Sequence, residues 1–418
     1  MNNFISPIQN AQRVKLISFF FRKMFLNLKM HKLKNNLLVK VILAIVLGIA
    51  LGRIIPEVIG RIFMTFNDFF SELLNFLIPL IIVGLIVPSI GRLGQTAGKL
   101  LLATVLIAYG STIFAGLLGY SASMSLFPQL LEHQTGKINL AEKAKEFAPY
   151  FSIEFPPLFG VMPGLVFSFL FGIGLSRLKD STFGKFADDF EEIVTYLIQH
   201  LIIPLLPIFI FGIFLNMSYS GQVVTIMNVF VKIIGVIFIL HVLLLVTQFT
   251  IAGIVAKKNP FTMLKLMMPA YFTALGTQSS AATIPITLAQ VKKIGVRDEV
   301  ASFAVPLCAT IHLSGSMLKI VCCCIALMLI QGMEIDFVQF LGFMMMLGIA
   351  MVAAPGVPGG AIMAAIGIIA SMLGFNAENQ ALMIALYIAM DSFGTAGNVT
   401  GDGAIAVTLN KLFKKEVQ

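Results

Sequence analysis

Near the end of the chain, Asp391, Thr395, Asn398 and Asp402 recur at a spacing that puts all four on one face of a helix. They lie in Asp391-Ser392-Phe393-Gly394-Thr395-Ala396-Gly397-Asn398-Val399-Thr400-Gly401-Asp402-Gly403, within a longer apolar run. A charged carboxylate near the centre of a bilayer costs roughly 3 kcal/mol. Two on one face, with hydroxyl and amide groups between them, imply a cation, an ammonium group or each other as partner. Asp402, beside Asn398 and Gly401, has oxygen chemistry suited to a hard monovalent ion. Asp391 could meet a substrate amine. A competing reading satisfies both carboxylates within the protein, through Lys319 or His312.

The elements that would position these residues are interrupted. Residues 266–288 are apolar but broken by Gly276, Thr277, Gln278, Ser279, Ser280 and Pro285. Residues 342–372 are broken by Pro355, Gly356, Val357, Pro358, Gly359 and Gly360. Breaks of this kind free backbone groups, and hydrocarbon tolerates them only where they are buried in protein or line a cavity. Each is followed by a segment expected to lose helical character, Cys308 to Ser316 and Asp391 to Gly403. Two broken hairpins, each paired with an unwound helix in the same order, point to a transporter site built from inverted repeats. A simple proline kink in each segment is the bland alternative.

Composition sets the medium. The chain has 418 residues, 58% hydrophobic and 12% charged, against about 25% charged in soluble domains. A water-soluble monomer could not cover its exterior. Apolar runs long enough to span centre on residues 37–56, 66–90, 100–127, 157–176, 192–216 and 222–256, with more in 299–331, 339–373 and 378–408. Long polar–apolar alternation is missing, which argues against a porin-like barrel. The first run is read as a retained span, not a signal peptide. The net charge is +9. Arg13, Lys15, Arg22, Lys23, Lys29, Lys32, Lys34 and Lys40 supply most of it, with no acidic residue among the first 40. Other basic clusters alternate with neutral or acidic connections, which puts both termini on the cytoplasmic side. Phe19 to Phe21 beside Arg22 and Lys23 suit an interfacial helix better than a nucleic-acid arm. Cys308 and Cys322 to Cys324 have no CxxC spacing, and Met344 to Met346 point in successive directions around a helix. Both sets read as packing or lipid-facing residues.

Four motifs now carry a resemblance: TQSSAATIP (277–285), PLCATIHLSGS (306–316), PGVPGG (355–360) and DSFGTAGNVTGD (391–402). In their order and spacing they resemble the dicarboxylate/amino acid:cation symporter family, the glutamate-transporter fold, over about residues 38–412. The resemblance implies an all-α integral membrane protein of eight transmembrane helices and two re-entrant hairpins, with inverted repeats, a homotrimeric assembly and an elevator-type cycle. The division expected is a basic cytoplasmic arm (1–36), mainly scaffold helices (37–257, the third and sixth spans joining the moving unit), a transport core (258–412) and a cytoplasmic tail (413–418). By position, the resemblance gives Ser279, Ser280 and Asn398 to the substrate carboxylate and Asp391 to its amino group. Ser316, Gly394 and Thr395 join the substrate set, and Val357, Pro358 and Gly359 form the second tip closing over it. One sodium site takes Asp402 with carbonyls of Cys308, His312 and Asn398. Another takes Thr310 with carbonyls near Met351, Val352 and Ala354.

The departures bear on specificity. Where acidic-substrate relatives have an arginine, this chain has Gly394, so no guanidinium faces a side-chain carboxylate. Gly394 is expected to open volume. An arginine from the first hairpin is also missing, its position being Gln278. Ser314 replaces the aspartate of a third sodium site, and Lys319, one turn on, could stand in for that ion. His312 could bring protons into the coupling or be a hydrogen-bonded structural residue, and Lys319 could snorkel or pair with a carboxylate. The leading expectation is sodium-coupled uptake of a neutral, small polar amino acid such as serine or threonine across the cell membrane. The alternative is a proton-coupled or sodium-independent exchanger of amino acids or carboxylates. An ion channel is disfavoured because the polar groups concentrate at one level. No nucleic-acid partner and no cofactor beyond the coupling ion are expected. No enzyme is expected either, since no paired nucleophile and base, zinc cluster or phosphate-cradling loop is apparent.

Overall fold

A computed structural model describes residues 37–95, 99–131, 147–178, 181–221, 223–354 and 358–413. The arm before residue 37, Val357 and the tail beyond 413 lie outside them. Among the described residues every regular element is helical: α1 (Leu37–Gly52), α2 (Glu57–Gln95), α3 (Lys99–Leu131), α4 (Val161–Ser176), α5 (Thr182–Leu197), α6 (Ile203–Tyr219), α7 (Val223–Ala256), α8 (Pro260–Thr277), α9 (Ser280–Ile294), α10 (Asp298–Ile311), α11 (Ser314–Ile330), α12 (Phe337–Val352), α13 (Gly360–Leu373), α14 (Ala377–Ala389) and α15 (Asp391–Leu412). A π-helical turn, Ile198–Ile202, joins α5 to α6.

Five helical stretches are long and apolar enough to cross a membrane: Glu57–Arg92, Lys99–Leu131, Thr182–Tyr219, Ile226–Ala256 and Asp298–Ile330. The bent pair α14–α15 makes a sixth candidate if taken as one span. The last of the five is 89% buried within the protein and Lys99–Leu131 only 33%, so the first is a central element and the second a peripheral one.

Two helical hairpins are built by matching local devices. In the first, the Asn259 side chain caps α8 by accepting from the Phe261 and Thr262 amides. Such a cap satisfies donors that a helix start otherwise leaves open. The hairpin closes on Gly295, whose left-handed backbone ends α9. In the second, Asp336 caps α12 by accepting from the Gln339 amide at 2.7 Å, and left-handed Gly374 ends α13. Each hairpin is tied at its base. Lys258 Nζ bonds the Ile294 carbonyl in the first, and Gln339 Nε2 bonds the Met372 carbonyl at 2.8 Å in the second. Both pairs therefore run antiparallel.

Where the chain was expected to unwind, the structure is more selective. The first break is confined to His312 and Leu313, between α10 and α11. The second falls at Met390, where α14 and α15 meet at 61°. Residues 391–403, expected to lose helical character, instead form the unbroken start of α15. Their glycines serve approach, not bending. A methyl group on Gly394 would meet Lys319, on Gly401 His312 and Gln248, and on Gly403 Met267, all within 3 Å. α15 is thus a smooth rod against which long side chains of other helices lie.

Packing sorts the helices into partners: α1 against α6, α2 against α4 and α5, α3 against α11, and α15 against α7, α8, α10 and α11. The α1–α6 contact is close, since a methyl on Gly52 would come within 2.5 Å of the Leu215 carbonyl oxygen.

Candidate functional site

The two hairpin tips meet at the start of α15. At the first, Gln278 adopts a left-handed backbone (φ 55°) and donates its side-chain amide to Ser392 Oγ at 2.7 Å. Ser279 then caps α9, its Oγ accepting from the Ala282 amide at 3.2 Å. At the second, Gly359 (φ +75°) donates its N–H to Asp391 Oδ2 at 2.8 Å. Only glycine takes that backbone conformation without strain. Two tips more than 80 residues apart in sequence are thereby fastened to consecutive residues of one helix N-terminus. The partial positive charge there favours anions.

Between the tips lies a cavity of about 20 Å³, room for about one water. Gln278, Ser280, Thr310, Ser316, Ala354, Asp391, Thr395 and Asn398 line it, together with Tyr387. Seven residues assigned from the sequence are thus brought to one place. Ser279 instead caps its own helix, Pro358 is half-buried beside Gly359, and Gly394 stands behind the wall. Val357 lies outside the described residues.

Asn398 holds the floor. Its Oδ1 accepts the Gly315 amide at 2.8 Å and the Ser316 amide at 3.3 Å, and its Nδ2 donates to Ser316 Oγ at 3.2 Å. These are the first amides of α11, which have no helical acceptor of their own. Ser316 Oγ lies 2.9 Å from the Tyr387 hydroxyl. Tyr387 is fully enclosed and was missed from the sequence. Its signal was a phenol inside the otherwise apolar 381–389 run.

Each of the two carboxylates has a basic partner inside the protein. Lys319, with no exposed side-chain surface, lies 3.3 Å from Asp391 Oδ1. Its Nζ also reaches the Met390 carbonyl at 3.4 Å and stands 3.5 Å from the centre of the Tyr387 ring, a favourable place for a cation. The volume expected to open at Gly394 is filled by this same side chain. A Cβ at 394 would lie 2.5 Å from both Cε and Nζ of Lys319.

At Asp402, His312 Nδ1 lies 2.9 Å from Oδ1. A carboxylate accepts, so Nδ1 donates to Asp402, and the other ring nitrogen, Nε2, lies 3.0 Å from Ser111 Oγ. Gln248 Nε2 donates to Ser111 at 2.9 Å and to Ser314 at 3.1 Å. Ser314, expected to leave an ion position uncharged, is thus tied to a side chain of α7. Ser111 and Gln248 were not singled out from sequence, although an amide within the apolar 242–256 stretch was the available sign.

Other groups assigned to sodium are hydrogen-bonded locally along the chain. The Cys308 carbonyl accepts the His312 amide at 2.9 Å, the Met351 carbonyl accepts the Ala354 amide at 3.1 Å, and Thr310 Oγ1 donates to the Leu307 carbonyl at 2.8 Å. Val352 is half-buried at the end of α12. Among the described residues no three His, Cys, Asp or Glu side chains gather as a metal centre. Cys322 to Cys324 are wholly buried in the core, and Met345 faces outward while Met344 faces in.

Comparison with known proteins places the sequence in a family. Residues 37–412 match the family model described as the Sodium:dicarboxylate symporter family. Excitatory amino acid transporter 1 of Ambystoma tigrinum is 26% identical over 298 residues, 68% of this chain and 54% of that protein. Excitatory amino acid transporter 2 of Homo sapiens is 26% identical over 273 residues, covering 63% and 47%. Excitatory amino acid transporter 3 of Mus musculus is 32% identical over 166 residues, covering 40% and 32%. The chain spans about half the length of the first two.

Proposed function

Because the chain belongs to the sodium:dicarboxylate symporter family, a family of transporters and not of enzymes, we propose that it is a multi-pass secondary carrier coupling sodium entry to uptake of a small solute with a single carboxylate. One observation carries this reading: both hairpin tips close on Asp391 and Ser392, at the N-terminus of a buried helix. Tips fastened there are gates, and the cavity between them, at about 20 Å³, is a site that must open before a solute enters.

Within this reading the hairpins are re-entrant. Counting the 16-residue helices α1 and α4 with the long ones and the bent pair gives eight spans. α1, α2, α4, α5 and α6 form the scaffold of a homotrimer, and α3, α7 and the hairpins with α10, α11, α14 and α15 move as an elevator. The termini are cytoplasmic. The solute is proposed to carry no second negative charge, since position 394 has no guanidinium and the charge of Lys319 is spent on Asp391. Serine and threonine are examples of that class among amino acids. Sodium is carried as cargo beside Asp402 and Thr310.

The test is uptake by proteoliposomes of purified protein, with an inward sodium gradient against equimolar potassium or choline. Faster uptake with sodium is expected, and equal rates would refute sodium coupling. The His312–Asp402 contact favours one second reading, a sodium-independent exchanger in which an internal partner replaces the ion. That reading requires uptake to depend on solute loaded inside and not on sodium.

A further inference from the structure

The Lys319–Asp391 pair bears directly on what the solute can be. Asp391 is the carboxylate that lines the cavity, and both of its oxygens are engaged. Oδ1 receives Lys319 and Oδ2 receives the Gly359 amide. Lys319 is wholly enclosed. It is held by the Met390 carbonyl and the Tyr387 ring, and it occupies the space a side chain at Gly394 would need. A solute ammonium approaching Asp391 would meet a carboxylate already neutralised and a second ammonium beside it. Like charges within a few ångströms in a buried site repel strongly. The hydroxyl pair of Ser316 and Tyr387, 2.9 Å apart on the same cavity wall, is instead suited to a hydroxyl or carbonyl group.

We propose that the protein supplies the ammonium itself, through Lys319, and that the carried solute is a small monocarboxylate without an amino group, a 2-hydroxy or 2-oxo acid. The proposal rests on the carrier reading above and narrows its substrate class. In it, the solute carboxylate takes the tip amides, the α15 N-terminus and Asn398. Its 2-oxygen takes Ser316 and Tyr387, and Lys319 acts as a specificity-determining residue that never leaves the protein.

Lactate and alanine share a carbon skeleton and differ only in hydroxyl against ammonium, so they isolate the point at issue. The experiment is sodium-driven uptake of radiolabelled lactate, pyruvate, alanine and serine into proteoliposomes of the full chain. Lactate or pyruvate is expected to exceed alanine by about tenfold or more. Lys319→Met, which releases Asp391, should shift the lactate-to-alanine ratio toward alanine by a similar factor. Adding Asp391→Asn to it restores neutrality and should abolish the gained alanine uptake, so this double variant also guards against misfolding of the single one. Wild-type uptake of alanine or serine in preference to lactate and pyruvate overturns the proposal and leaves the carrier reading standing. No sodium-driven uptake of any of the four acids overturns both.

Discussion

Replacing Gly394 by alanine tests whether Lys319 fills the space beside α15. The new Cβ would lie 2.5 Å from Lys319 Cε and Nζ, so the lysine must shift away. It is enclosed, and its shift weakens the contact with Asp391, now 3.3 Å. At an effective dielectric constant near 20 the attraction at this distance is about 5 kcal/mol. Leaving one member of a buried pair uncompensated costs about 3–5 kcal/mol, and overpacking adds about 1–3 kcal/mol. Against this, alanine in place of glycine within a helix gains about 1 kcal/mol. Because Lys319 can keep part of its pairing, a net loss of about 2–4 kcal/mol follows. In a Lys319→Ala background the obstructing atoms are gone and only the helix gain of up to about 1 kcal/mol remains. The same substitution should therefore lower apparent Tm in the natural chain and leave it unchanged or raise it in the Lys319→Ala variant. Fluorescence-detected size-exclusion after heating reads all four proteins. If the Tm shifts of the two single variants simply add, Lys319 does not occupy that space and the reasoning fails.

Asn398→Ala strands the Gly315 and Ser316 amides in a buried site, at about 1–3 kcal/mol each, and should lower Tm more than Thr395→Ala; equal losses would count against the floor role of Asn398. Asp402→Asn removes the carboxylate proposed to meet sodium, so uptake should lose its dependence on sodium concentration, and an unchanged sodium titration would argue against an ion there. A Cβ on Gly367 of α13 would collide with Ile78 Cγ2 of α2, which is the contact between the second hairpin and a proposed scaffold helix. Gly367→Ala should slow maximal uptake without altering the solute concentration for half-maximal rate; an affinity change with unaltered maximal rate would refute a sliding contact at that point.

The broken segments were legible because serine, glycine and proline at membrane depth leave backbone groups that only a protein interior can satisfy. The placing of the breaks was less so. The glycines between 394 and 403 read as helix breakers, yet each accepts a long side chain from elsewhere, and local composition carries no record of that partner. Seven of the residues lining the cavity were found through motif order, whereas Tyr387, Ser111 and Gln248 belong to no motif and become visible only when the helices are assembled. The internal satisfaction of Asp391 and Asp402 was one of two open readings. The contacts that reading names, Lys319 with Asp391 and His312 with Asp402, span 72 and 90 positions, which helical periodicity cannot supply.

The separation between Lys319 and Asp391 also constrains how the protein is made. α11 emerges from the ribosome 72 residues before its counter-charge. At about 5–20 residues per second the interval is roughly 4–14 s. During it, a lysine sits in a stretch that is otherwise apolar enough to span, with mean hydropathy 2.2. Lysine at the middle of a span opposes membrane integration by about 3 kcal/mol, and nothing later in the chain can yet relieve it. Integration of α10–α11 must therefore rely on the surrounding leucine, isoleucine, methionine and cysteine side chains. A chain cut short before residue 391 would be left with a lone buried ammonium, an intrinsic mark of an unfinished protein for membrane quality control to act on.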